Sequence, residues 1–425
     1  MVDVDRFDER QRRLLFLLGA ACFCEGFDFA TLTVVLPQIR ATFHLTHSQA
    51  DLWVAVLYLG ALPAVLWGRR ADRHGRRSVL LASMVGFTVA SAATAASPTI
   101  GVFVACQFVT RCFLATQIAI AWTMAAEDLP AARRGLGFGV LAFSSAVGTG
   151  LSAIVQAVVL SPLGASWRWL YVLALPFLLL VLALSRSLPE STRYAAFASR
   201  HDRMQGHAGL LTRPPFRRPL AQICLMVLLA NLTTEATVFA VDFMETDRGL
   251  SSSSANLLLV VAGAVALPVL TLAGRLSDHI GRRRVCASGL VVQGAGLLVF
   301  FIVARGTMQL GLALGLTYIG LFAAWTTGNA FAVEVFPTAL RGAASASASM
   351  AKLLGQSASF ALAGVLLAAT HRTSFTVSVL VAGPVLASLL IVFALPETSR
   401  RELTDVVVLD DRSGGTEPAG YVAAG

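Results

Sequence analysis

The sequence predicts an all-α membrane protein: twelve transmembrane helices in two pseudo-symmetric six-helix bundles. Three observations predict it: long apolar runs, a scarcity of charge, and a set of motifs that occurs twice. Of 425 residues, 56% are hydrophobic and 13% charged. A soluble domain carries about 25% charged residues, so roughly half the usual charge is missing. The apolar residues fall in runs such as 14–36, 79–96, 169–188, 285–304 and 375–395. Each is near the ~20 residues that cross ~30 Å of hydrocarbon at ~1.5 Å per residue. A helix satisfies its own backbone hydrogen bonds and so tolerates lipid.

Taken in order, a polar segment (1–13) precedes the first six spans, at 14–36, 51–68, 79–96, 100–126, 136–160 and 169–188. These form a first bundle over 14–188. A linker (189–219) follows, with Pro189, Pro214, Pro215 and Pro219. The second bundle, 220–395, holds spans 220–243, 254–274, 285–304, 309–333, 343–369 and 374–395. A tail (396–425) contains Ser413, Gly414, Gly415 and Pro418 and reads as a mobile end. The start is not expected to be a cleaved leader, because it carries acids and its apolar run is too long.

The net charge of +9 would suggest nucleic acid in a soluble protein. Here the arginines lie in short turns between spans, so no nucleic-acid partner is expected. Arg69, Arg70, Arg73, Arg76 and Arg77 follow span 2; Arg133 and Arg134 follow span 4; Arg275, Arg282, Arg283 and Arg284 follow span 8. The linker adds six more. The turns at 97–99 and 161–166 have none. Positive charge stays in the cytosol, so both termini are expected there, with the protein in the cell membrane. The six cysteines form no CxxC pair and read as packing residues, with no metal site.

The repeat is explicit. Gly68, Asp72, Gly75, Arg76 and Arg77 recur as Gly274, Asp278, Gly281, Arg282 and Arg283. Glu127, Pro130 and Arg134 recur as Glu334, Pro337 and Arg341, and Pro189-Glu190-Ser191-Thr192-Arg193 recurs as Pro396-Glu397-Thr398-Ser399-Arg400. The motifs keep their order and nearly the same spacing, which marks a duplicated unit. An even number of spans per copy keeps the two parallel, an arrangement for which the halves of one transporter superfamily are a standing example.

On these residues the chain, from about 14 to 403, resembles the major facilitator superfamily, toward its sugar-porter and organic acid:proton symporter branches. Gly68 and Gly75 suit a tight turn and close helix approach. Asp72 could accept from a facing helix N-terminus, and Arg76 and Arg77 could pair with Glu127 or Glu190. The resemblance implies that this set and its second copy (Gly68, Asp72, Gly75, Arg76, Glu127, Arg134, Glu190, Arg193; Gly274, Asp278, Gly281, Arg282, Glu334, Arg341, Glu397, Arg400) form a cytoplasmic gate.

Charges at mid-span are costly and mark function by default. Span 1 has Glu25 and Asp28, three apart and so on one helix face. Span 4 has Arg111, span 7 has Glu235, and span 11 has Lys352, the only lysine. Asp28 and Glu235 hold matching positions in the two copies. The resemblance places both on a central path, where a carboxyl could carry a coupling proton; Glu25 is a third candidate. The competing reading is a set of structural ion pairs: Asp28 or Glu25 with Arg111, and Glu235 with Lys352. Arg111 and Lys352 could instead bind a substrate carboxylate. Arg111 matches the family's RxxxG motif, with Ala115 in place of the glycine. Gln117, Asn231, Trp325 and Asn329 are further polar or aromatic positions that substrate could touch.

No GxxxxGK[ST] loop occurs, so no ATP-driven pump is implied. Span 5 lacks the Gly-Pro motif of drug:proton antiporters, and span 7 lacks the paired glutamines of sugar porters. The expectation is a secondary transporter for a small organic solute, with a carboxylate as the candidate class. It would work as a monomer by proton-coupled symport, with the proton gradient as its energy source and no cofactor. The alternatives are a proton-coupled exporter of a drug or metabolite, and a non-transporting membrane sensor or receptor. No nucleophile, base and oxyanion set appears, so no enzyme is expected.

Overall fold

The structure is a computed structural model that describes residues 8–129, 134–190, 214, 216–336, 338–395 and 397. Among them no strand occurs. The first half comprises α1 (Glu9–Phe43), α2 (His47–Leu59), α3 (Ala64–His74), α4 (Arg76–Ala95), α5 (Ile100–Asp128), α6 (Arg134–Ile154, continued by a π-helical turn Val155–Leu160), α7 (Arg168–Val172) and α8 (Phe177–Ser187). The second comprises α9 (Arg217–Ala230), α10 (Thr234–Val238), α11 (Ala240–Thr246), α12 (Ser252–Ile280), α13 (Arg282–Leu298, ending in a π turn), α14 (Thr307–Glu334), α15 (Thr338–Thr370) and α16 (Thr373–Ala394). Eleven stretches are long and apolar enough to cross a membrane. The twelfth span is α2 plus α3, interrupted over residues 60–63.

The apolar runs mark the spans well and their ends poorly. Helix α1 has 35 residues and outlasts its run at both ends. A capping box prolongs its start: Gln11 N donates to Asp8 Oδ1 at 2.7 Å, and the Gln11 side chain accepts from the Asp8 amide. Spans 2, 6 and 7, expected as continuous helices, are broken. In span 2, Pro63 brings no amide to the helix ladder. In span 7, a 3₁₀ turn at Asn231–Thr233 separates α9 from α10.

Two glycines set the tightest seam. A Cβ on Gly26 of α1 would collide with the Ser145 carbonyl oxygen, and one on Gly148 of α6 with that of Phe23. The two helices therefore touch backbone to backbone. The motif turns also need glycine. Gly75 has φ 96° and Gly281 has φ 103°, with ψ near 140° in both, a conformation that residues with a Cβ avoid.

The two halves meet at the end opposite the arginine-rich turns. There α2 packs on α15, α11 on α1, and the π turn of α6 on α12. Ser48 Oγ donates to the Gly364 carbonyl at 2.7 Å, and Ser253 Oγ to that of Ala157 at 2.7 Å. Deeper, Ser357 Oγ donates to the Ala55 carbonyl at 3.0 Å, and Tyr58 packs on Phe360. The other ends behave differently. Helix α3 packs on α4 and α5 of its own half, and α9 on α15 and α16 of its own. Among the described residues, the hydrogen bonds between the halves thus lie toward the arginine-poor end, which is closed.

Candidate functional site

Glu25 lies within electrostatic reach of Arg111 in its own half and of Lys352 in the other, and no ion pair forms among the mid-span charges. Asp28 is 3% exposed; its Oδ1 accepts from Ser91 Oγ on α4, and its Oδ2 has no donor. Glu25 accepts from Ser145 Oγ on α6 at 2.9 Å. The two acids share a helix face, yet they reach opposite neighbours. Arg111 of α5, 4% exposed, rests on the Phe29 and Tyr58 rings at 4.4 and 5.1 Å. One nitrogen donates weakly to the Phe29 carbonyl at 3.4 Å; its Nε and Nη1 have no acceptor. The ion pairs of the competing reading, Arg111 with Asp28 or Glu25 and Lys352 with Glu235, do not form within 4 Å among the described residues. Burial between two rings holds the guanidinium short of either carboxylate.

Lys352 on α15 is exposed to solvent. Its Nζ lies 5.9 Å from the Trp325 ring and within electrostatic reach of Glu25. Trp325 itself is 39% exposed. Gln117 donates to the Ala21 carbonyl at 2.6 Å, leaving its Oε1 without a donor. Asn231 is spent locally, donating to the Val227 carbonyl of the preceding helix α9 at 2.7 Å. The amide of Glu235 donates to Ser359 Oγ at 3.0 Å, while its Oε2 has no donor.

The motif residues divide by copy. Glu190 accepts from the amides of Arg76 and Arg77 at 2.9 and 3.1 Å, and Glu397 from those of Arg282 and Arg283 at 2.8 and 3.2 Å. Each carboxylate thus caps the N-terminus of α4 or α13, where the helix dipole favours an anion. Sequence reasoning named Glu190 as a partner for Arg76 or Arg77; the contacts described are with their backbone amides. Arg76 does pair with Glu127, at 2.7 Å, while Arg77 turns to the Ser185 carbonyl. Gly68 has open space around it, so close helix approach is not its role. Arg193 and Arg400 lie outside the described residues, as do the side chains of Asp72, Arg134, Asn329, Asp278, Glu334 and Arg341 and the surroundings of Gly274.

A second cluster escaped the sequence reading. At the closed end Arg40 of α1 forms an ion pair across the halves with Asp242 of α11. Asp242 is 0% exposed and Arg40 12%. His47, ahead of span 2, bridges them: its Nε2 lies 2.9 Å from Arg40 and its Nδ1 3.3 Å from Asp242. Arginine can only donate, so Nε2 accepts and Nδ1 carries the hydrogen. With Nε2 accepting from Arg40, the imidazole is held in its neutral form. Next to this cluster Asp51 is 0% exposed, with neither oxygen hydrogen-bonded. Charges at span ends look like ordinary interfacial residues in a sequence; only packing across the halves singles these out.

Two six-helix bundles of parallel repeat, with acids and cations buried between them, define a secondary-transporter architecture. The profile of the Major Facilitator Superfamily matches the chain twice, over residues 18–234 and 223–408, and the chain belongs to that family. The sialic acid transporter NanX of Escherichia coli is 25% identical over 339 residues, 78% of this chain and 81% of that one. NiaP of Bacillus subtilis, named as a candidate niacin/nicotinamide transporter, is 23% identical over 92% of this chain and 98% of its own. Among solved structures, the inward-open xylose transporter XylE of E. coli superposes with a TM-score of 0.75 at 19% identity, covering 92% of this chain and 98% of that one. A D-xylose–proton symporter structure gives 0.74 at 21%, covering 91% and 98%. At such identity the structures speak to the fold alone. The protein is a multi-pass membrane transporter of this superfamily.

Proposed function

We propose that the protein is a proton-coupled symporter that imports a small organic carboxylate by alternating access. One observation carries the reading: a buried guanidinium, Arg111, with two nitrogens free of any acceptor although two acids lie on the neighbouring helix. An unfilled planar fork suits a carboxylate, which it binds bidentately. Lys352 adds a second cation across the cleft, and Trp325 an apolar wall. Asp28, held by Ser91 and lacking a second donor, is the proton carrier, with Glu25 and Glu235 as further carriers. A neutral Asp28 leaves the net charge around Arg111 more positive and favours the anion, which couples the two cargoes. NanX and NiaP carry sialic acid and niacin in their names, and both compounds are carboxylic acids.

Positive-inside bias assigns the arginine-rich face to the cytosol. An inward-facing state is the reading that the shut outward seam supports, with the described contacts of Glu127, Glu190 and Glu397 each made inside one half. The test is flux in proteoliposomes with labelled sialic acid and niacin under an imposed pH gradient. Accumulation along the proton flow, abolished by a protonophore, is expected. Movement against the proton flow would make the protein an exporter, and uptake insensitive to the protonophore would remove proton coupling.

A further inference from the structure

Asp51 and Glu235 come from opposite halves and both lie buried against α15 in the shut outward seam. Asp51 opens the second turn of α2; its Cβ, with Leu52 Cγ and the Ser48 carbonyl oxygen, fills the space that a side chain at Gly364 of α15 would need. Glu235 opens α10, its amide fixed to Ser359 of the same α15. Both carboxyls are buried, at 0% and 5% exposure, and Glu235 acts more strongly on Asp51 than any other charge does. Neither Asp51 oxygen, nor Oε2 of Glu235, receives a hydrogen bond. The neighbouring charges do not neutralise the pair. Arg40 of α1 acts on Asp51 but is spent on Asp242, and Asp242 is a third acid acting on both. His47, on α2, accepts from Arg40 at Nε2 and so carries no charge there. Arg111 of α5 is stacked on Tyr58, further into the span. The face of α15 here offers Ser357, Ser359 and Gly364, none of which titrates.

Two buried carboxylates within electrostatic reach of each other in a dry seam disfavour joint ionisation, because like charges and lost hydration act in the same direction. We infer that Asp51 and Glu235 form a proton-binding site, assembled only when the outward seam shuts, whose occupant is one proton shared between the halves. With the seam open, water reaches both groups and both ionise. Closure therefore takes up a proton, and loss of that proton drives the halves apart. The sign follows from linkage: the closed state binds one more proton, so acid favours closure and base favours opening, by up to about tenfold per pH unit. This deepens the transporter reading, resting on alternating access but not on which solute moves or whether protons drive it.

The test is a distance measurement on purified full-length protein without substrate. Paramagnetic labels go on cysteines introduced at Leu163 and Ser251, exposed positions at the outward ends of the two halves, with the six native cysteines replaced by alanine. The short distance of the shut seam should dominate at pH 5.5 and give way to a longer one as pH rises toward 8. Asp51→Asn should stay short throughout, and Glu235→Gln, which removes the other member, should do the same. A wild-type distance indifferent to pH overturns the proposal. So does an unchanged pH response in Asp51→Asn, or in Glu235→Gln alone should Asp51→Asn fail to fold. Loss of the response in His47→Gln while Asp51→Asn keeps it would make the imidazole the switch and also overturn it. Failure of gradient-driven flux would remove the symport reading and leave this measurement standing.

Discussion

Removing Arg40 should spring the outward seam. In the shut state Asp242 is wholly buried, and its attachment across the halves is the Arg40 ion pair, supported by the His47 Nδ1 hydrogen at 3.3 Å. Taking away one partner of a buried pair costs about 3–5 kcal/mol, because the other charge is left in low dielectric. The imidazole keeps part of the compensation, so the lower end applies, about 3 kcal/mol. The cost falls on the shut state alone, since water solvates Asp242 once the halves part. Each 1.4 kcal/mol is roughly tenfold, so Arg40→Ala should lower the ratio of shut to open molecules by about a hundredfold. The label pair at Leu163 and Ser251 reads this ratio directly. The exchanged pair Arg40→Asp with Asp242→Arg should recover much of the shut population, whereas the single change should not. A distance distribution in Arg40→Ala identical to wild type would refute the latch.

Three further outcomes follow from other contacts. Gly148→Ala forces a methyl into the Phe23 carbonyl and should lower the melting temperature by an amount matching about 1–3 kcal/mol, while Gly139→Ala, facing open space, should be near neutral. Glu190→Gln and Glu397→Gln each weaken the anion on a helix N-terminus and should each cost about 0.3–1 kcal/mol in thermal unfolding; a large loss in one and none in the other would contradict the shared role. Arg111→Met should erase any preference for niacin over nicotinamide in competition uptake, and Arg111→Lys should raise KM about tenfold or more, since a point charge replaces a fork.

How much of this was legible in the sequence differs by level. The twelve spans, the duplication and the family could all be read, because hydropathy and motif spacing are properties of the chain itself. The ends of α1 could not, because capping by Asp8 and Gln11 extends a helix past its apolar run. Glu25, Asp28, Arg111 and Lys352 were legible as candidates, since charge within an apolar run is anomalous. Their partners were not: Ser91, Ser145 and the Phe29 and Tyr58 rings carry no anomaly of their own. Arg40, His47, Asp51 and Asp242 were missed for a related reason. Each stands at a span end, where charge is ordinary, and only the meeting of the two halves buries them.

Proton coupling through Asp28 is tested most directly by comparing two modes of transport in Asp28→Asn. An amide fixes the position in a neutral, proton-loaded form, so solute should still exchange across the membrane when it is present on both sides. Accumulation driven by an imposed pH gradient should vanish, because no proton can leave that site. Accumulation equal to wild type in this variant would contradict the mechanism.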